Sequence, residues 1–105
     1  MVLVCENGKI IGVVGYTDNL DVWNGSNWQN GGTGKHLGIS VMQNKKEKIY
    51  VLIHGSDWQG SQDYAEIIDK EKALYLIMKY NPDLLDEERF KELNEEKENL
   101  YKEIR

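Results

Sequence analysis

The chain has 105 residues, with 13 basic against 18 acidic side chains, a formal net charge of −5, and 40% apolar and 30% charged positions. That length accommodates one domain (residues 1–105) with an ordinary core. The balance excludes a disordered polyelectrolyte, and its acid excess argues against direct nucleic-acid binding through a broad basic face. No run of about 18 apolar residues occurs, so no membrane-spanning helix is expected. Met1-Val2-Leu3-Val4-Cys5-Glu6 lacks the basic start and the apolar length of a secretion signal. Cys5 is the single cysteine, so no internal disulfide forms, and cytoplasmic residence is the simplest expectation. Without secretion, the glycosylation pattern Asn24-Gly25-Ser26 is taken as chance.

In chain order, Val2–Cys5 and Lys9–Gly15 read as two strands around Glu6-Asn7-Gly8, because Asn-Gly supplies the positive φ that a tight hairpin needs. A loop over Tyr16–Leu20 follows, then a short hairpin, Leu20–Trp23 with Ser26–Gln29, around Asn24-Gly25. Asn30-Gly31-Gly32-Thr33-Gly34 is too rich in glycine for regular structure. Leu37, Ile39 and Val41 alternate on one strand and Ile49, Val51 and Ile53 on the next, joined by Gln43–Glu47. Pairing Val41 with Ile49, Ile39 with Val51 and Leu37 with Ile53 puts all six on one face, the condition that sets register in a half-buried sheet. Tyr64–Ile68 is a further strand.

Asp69 reads as the N-cap of a helix over Lys70–Tyr80, with Ala73, Leu74, Ile77 and Met78 as its apolar stripe and Asn81-Pro82 as its end. A last helix runs from Asp83 or Asp86 to Ile104, carrying Phe90, Leu93, Leu100 and Ile104 and the i,i+4 pairs Glu87–Lys91 and Glu98–Lys102. Its narrow stripe fits either the rim of the domain or a contact with another chain. The acidity belongs here: residues 1–82 hold 9 acids and 8 bases, residues 83–105 hold 9 acids and 5 bases.

One echo stands out. Gly25-Ser26-Asn27-Trp28-Gln29 recurs as Gly55-Ser56-Asp57-Trp58-Gln59. The two Trp turns either plug the ends of a sheet or form a paired recognition surface. The first leads into Lys35-His36 and the second leaves from His54, so under the register above Trp28, Lys35, His36, His54, Asp57 and Trp58 collect at one sheet end. That end is the candidate binding surface.

His36 opposite His54, with Asp57 nearby, is a conceivable three-ligand set for a divalent transition metal or the start of acid–base chemistry. Against this stand the absence of a known spacing signature and of an elbow carrying a nucleophilic serine among Ser26, Ser56 and Ser61. Gly31-Gly32-Thr33-Gly34-Lys35 falls short of a phosphate loop, since Gln29 and His36 stand where Gly and Ser/Thr are required. No cofactor motif is present. Cys5, on a strand with no basic neighbour, reads as a buried structural thiol.

The expectation is therefore an α+β fold, with an antiparallel sheet of four to six strands (an N-terminal hairpin plus a meander) over residues 1–68. Two C-terminal helices over 69–105 cover it, and the apolar hairpin face meets Leu74, Ile77 and Met78. The expected function is a non-enzymatic interaction module that engages a protein partner or a second copy of itself as a homodimer. One form of it is an acidic inhibitor of a nucleic-acid-binding partner. The alternative is a small His/Asp-dependent metal-binding protein or hydrolase-like enzyme.

Overall fold

The computed structural model describes residues 1–21, 35–44, 47–56 and 63–104. Within them are five strands: β1 (Val2–Glu6), β2 (Lys9–Val14), β3 (Lys35–Asn44), β4 (Glu47–Ser56) and β5 (Tyr64–Ile68). Two helices follow, α1 (Lys70–Tyr80) and α2 (Lys91–Ile104), separated by 3-10 turns at Pro82–Asp86 and Glu88–Phe90. The α+β class and the two helices agree with expectation. The sheet, in order β2-β1-β5-β4-β3, is mixed and not purely antiparallel, because β1 runs parallel to β5. Parallel neighbours need a long crossover, and the excursion from β2 through β4 supplies it. No helix among the described residues is long and apolar enough to cross a membrane.

The N-terminal hairpin forms as its turn chemistry dictates. Asn7 and Gly8 adopt φ values of 52° and 78°, the paired positive φ of a tight two-residue turn. Val2 and Val4 point inward, while a register irregularity between Val4 and Cys5 precedes an outward-facing thiol. Cys5 is thus exposed, not buried. It shares the outer side of the hairpin with Leu3, Ile10 and Val13, which the helices leave uncovered.

The β3–β4 register differs from the expected one by a single residue. Val41 pairs with Tyr50, Ile39 with Leu52 and Leu37 with His54, while Gly38, Ser40 and Met42 pair with Ile53, Val51 and Ile49. A shift of one residue exchanges the faces of a strand. The six branched side chains therefore split between two cores. Ile39, Tyr50, Leu52 and Ile68 pack beneath Ala73, Leu74, Ile77, Leu84, Leu85, Phe90 and Leu93. Val51 and Ile53 join Val2, Val4, Val14 and Ala65 on the other side, with Met42, Ile49 and Ile67 against them. The single-face reading fails because β4 is covered on both faces, and such a strand is apolar at both parities. The sheet curls about this second core until β2 approaches β3, leaving a groove of about 480 Å³ between their edges.

Asp69 caps α1 as expected, its Oδ1 accepting from the Lys72 N–H at 2.7 Å. Ala73, Leu74 and Ile77 are buried; Met78 is 37% exposed, and Leu76 packs against the core in its place. The second helix begins later than its charge pattern suggests. Glu87 precedes the helical segment, so it pairs with Arg89 Nε at 2.8 Å and not with Lys91. Phe90 and Leu93 are fully buried, whereas Leu100 is 45% exposed.

Residues 15–21 form a strap that passes from one side of the sheet to the other. Thr17 crosses so close to Gly38 that a Cβ there would collide with the Thr17 carbonyl oxygen, and the Tyr16 ring lies against Gly55. The strap then rounds the outer edge of β3 and buries Leu20 completely in the helix-side core.

Two outcomes test this packing. Gly38→Ala should destabilise the protein by about 1–3 kcal/mol in urea unfolding, because the obstructing group is backbone and cannot rotate away. Tyr50 buries its hydroxyl without a hydrogen-bond partner among the described residues. Burial, followed by the negative charge of Glu92, holds its pKa above the usual value near 10. Tyr50→Phe should therefore be neutral or stabilising by up to about 1 kcal/mol at pH 7. The folded-state pKa lies above the unfolded one, so this phenol's contribution is complete below pH 10 and is lost as pH rises further. Wild type should lose more stability than Tyr50→Phe as the pH rises above 10.

Candidate functional site

The outer edge of β3 is the point at which the strap meets the sheet, and side chains stand in there for a missing strand. Asn19 Oδ1 accepts from the Ile39 N–H at 2.8 Å, and Asn19 Nδ2 donates to the Ile39 carbonyl at 3.0 Å. Two residues back along β3, the Leu20 N–H donates to the Leu37 carbonyl at 3.1 Å, and Asp21 Oδ1 accepts from the Leu37 N–H at 2.7 Å. Asn and Asp do this readily because their short polar side chains imitate a peptide group. Asn81, which ends α1, donates from Nδ2 to the Asn19 carbonyl at 2.9 Å and ties the strap to the helical layer.

Asp21 has a second role. Its Oδ2 lies 2.8 Å from His36 Nδ1. The Asp21 side chain is fully buried and that of His36 is 16% exposed. A buried carboxylate needs both hydrogen bonds and compensating charge; the Leu37 N–H and the imidazole meet the first need. The Asp21 N–H also donates to the Asp18 carbonyl at 3.0 Å, closing a turn that brings the Asp18 side chain alongside. One donor atom from each of Asp18, Asp21 and His36 lies within 4.8 Å of the other two.

His54 belongs elsewhere. His36 pairs with Gly55 and His54 with Leu37, and alternation along β4 sends the two imidazoles to opposite faces of the sheet. His54 stacks on Tyr64 with centroids 4.6 Å apart, and its Nε2 is 3.2 Å from Glu66 Oε1. The expected pairing of His36 with His54 across the strands is thus corrected by the same one-residue register shift. Asp57, Trp28 and Trp58 lie outside the described residues, as does most of the short hairpin expected after Leu20. Lys35 opens β3 opposite Ser56.

That last pair matters for the Trp segments. Residues 22–34 leave from Asp21 and return at Lys35, and Asp21 is bonded to His36 and Leu37, so their two anchor points adjoin. Residues 57–62 leave from Ser56 and return at Asp63, and the Ser56 N–H donates to Asp63 Oδ1 at 3.0 Å. Because Lys35 pairs with Ser56, both bases abut at one end of the β3–β4 ladder. The shared end was legible from chain direction alone. Asp18 and Asp21 were missed; the available signal was Asp-x-x-Asp spanning Asn19 just ahead of a glycine-rich connection, a run of side chains able to cap a strand edge.

Asp21→Ala should cost about 3 kcal/mol in urea unfolding, since it strands the Leu37 N–H and the imidazole together. Asp21→Asn should retain most of the stability, because the amide oxygen still accepts from Leu37 while its N–H₂ donates to Nδ1 of His36 once the imidazole proton sits on Nε2. Comparison with known proteins returns no match: no family model fits the chain, and no curated protein and no solved structure is similar to it.

Proposed function

We propose that the chain is a non-enzymatic binding module that engages a protein partner through the sheet end from which residues 22–34 and 57–62 depart. The observation that carries this reading is the pairing of Lys35 with Ser56, which roots both Gly-Ser-(Asn/Asp)-Trp-Gln segments side by side. Rigid aromatic anchors among small, amide-bearing residues are the composition of adaptable binding loops, in which the rings supply area and the amides supply hydrogen bonds. The scaffold beneath suits the task, because the Asn19 and Asp21 contacts and the Ser56–Asp63 bond fix the bases of both segments.

The partner's character follows from charge. At −5 overall, the module favours a basic surface, and long-range attraction speeds such encounters. One form of this is an acidic protein that occupies the groove in which a partner holds nucleic acid. A second copy of the chain is the other candidate partner.

The test is a comparison of wild type with Trp28→Ala/Trp58→Ala. Wild type should self-associate in sedimentation velocity or retain a partner in a tagged pull-down, and the double variant should lose at least ten-fold in that affinity while keeping its circular dichroism spectrum. For a nucleic-acid-binding partner, the module should displace nucleic acid, and salt should weaken the effect. A strictly monomeric wild type that retains nothing the double variant does not would refute the proposal.

A further inference from the structure

We infer that Asp18, Asp21 and His36 form a binding site for one divalent transition-metal ion, with zinc the best fit, independently of what the Trp segments bind. The donors differ in kind, two carboxylates and one imidazole, and that mixture suits zinc and its neighbours better than magnesium or calcium, which prefer oxygen-only shells. Their donor atoms already lie within 4.8 Å of one another. Bonds of about 2.0–2.1 Å at tetrahedral angles place ligand atoms roughly 3.3 Å apart, so modest movement completes the set. Asp18 is exposed at the rim of the turn and can supply that movement.

The site is also built, not merely crowded. Asp21 has no exposed side-chain surface, and the Leu37 N–H fixes its Oδ1 at 2.7 Å. Its Oδ2 in turn orients the His36 ring through Nδ1 at 2.8 Å. An ion would replace the hydrogen bond between Asp21 Oδ2 and His36 Nδ1, with the imidazole proton carried on Nε2, while the Leu37 N–H keeps its hold on Oδ1. Charge completes the argument. Two carboxylates converge beside one imidazole, one of them out of solvent, and a single divalent cation offsets both charges.

The experiment is isothermal titration of chelator-treated, full-length protein with zinc chloride, in a Cys5→Ser background so that the exposed thiol takes no part. One equivalent should bind with micromolar or tighter affinity, and magnesium chloride should bind at least 100-fold more weakly. Asp18→Asn should weaken zinc at least ten-fold. Asp21→Asn and His36→Gln should each abolish the one-to-one phase, whereas His54→Gln should leave it intact. Asp21→Asn keeps a hydrogen bond to each of the parent's two partners, reversed in direction at His36, so the test stands even if His36→Gln fails to fold. The inference is overturned if no saturable zinc binding occurs into the millimolar range, if Asp21→Asn binds as wild type does, if His54→Gln abolishes binding, or if magnesium binds as tightly as zinc.

Discussion

The architecture is organised by the burial of β4 on both of its faces. Tyr50 and Leu52 face the helices; Val51 and Ile53 face the interior of the curl. A strand with no solvent face must be apolar at every position, and Ile49-Tyr50-Val51-Leu52-Ile53 satisfies this. Its two neighbours, β3 and β5, are then committed in register, since either could slip only by exchanging one core's side chains for the other's. The helices close one core, and β1 with β2 closes the other. Even the separation of the two histidines follows from this, because the parity that buries Leu52 with the helices sends His54 to that side and His36 to the opposite one.

The same constraint explains what could be read from the residues beforehand. Turn chemistry and capping are local, so the Asn7-Gly8 hairpin and the Asp69 cap were legible, as were the strand pattern of β3 and the extent of β5. Register is not local. Alternation on β3 names its helix-facing side chains correctly, but an apolar run on β4 carries no parity, and choosing its odd residues was a choice between two equal patterns. The discriminating signal lay in the connection, where Asn44 pairs with Glu47 across only two residues; hairpins favour such short links, but Lys45-Lys46 lacks the Asn-Gly that advertises one. Cys5 was misplaced for a related reason: its burial depends on a hairpin whose outer side no helix reaches.

The candidate site divides along the same line. Chain direction suffices to bring Lys35 and Ser56, from which the two Trp-bearing segments adjoin the ladder, to one sheet end, because it requires only that β3 and β4 pair antiparallel. The side chains gathered there required the course of the strap. Asp18 and Asp21 sit in what reads as an ordinary polar loop, and their proximity to His36 arises only when Leu20 is drawn into the helix-side core and Asn19 is held on Ile39. A hydrophobic event thus sets the position of an electrostatic one: burial of a single leucine delivers a carboxylate to an imidazole.

The strap joins the two cores mechanically as well as chemically. Its aromatic end rests on the curl side at Gly55, its aliphatic end is sunk among the helices, and Asn81 grips its middle. Neither hydrophobic layer can loosen without pulling on the other through the rim of β3. The chain therefore has the connectivity of one cooperative folding unit despite its divided interior, and exchange of the amide hydrogens in both layers is expected to proceed through a common global opening.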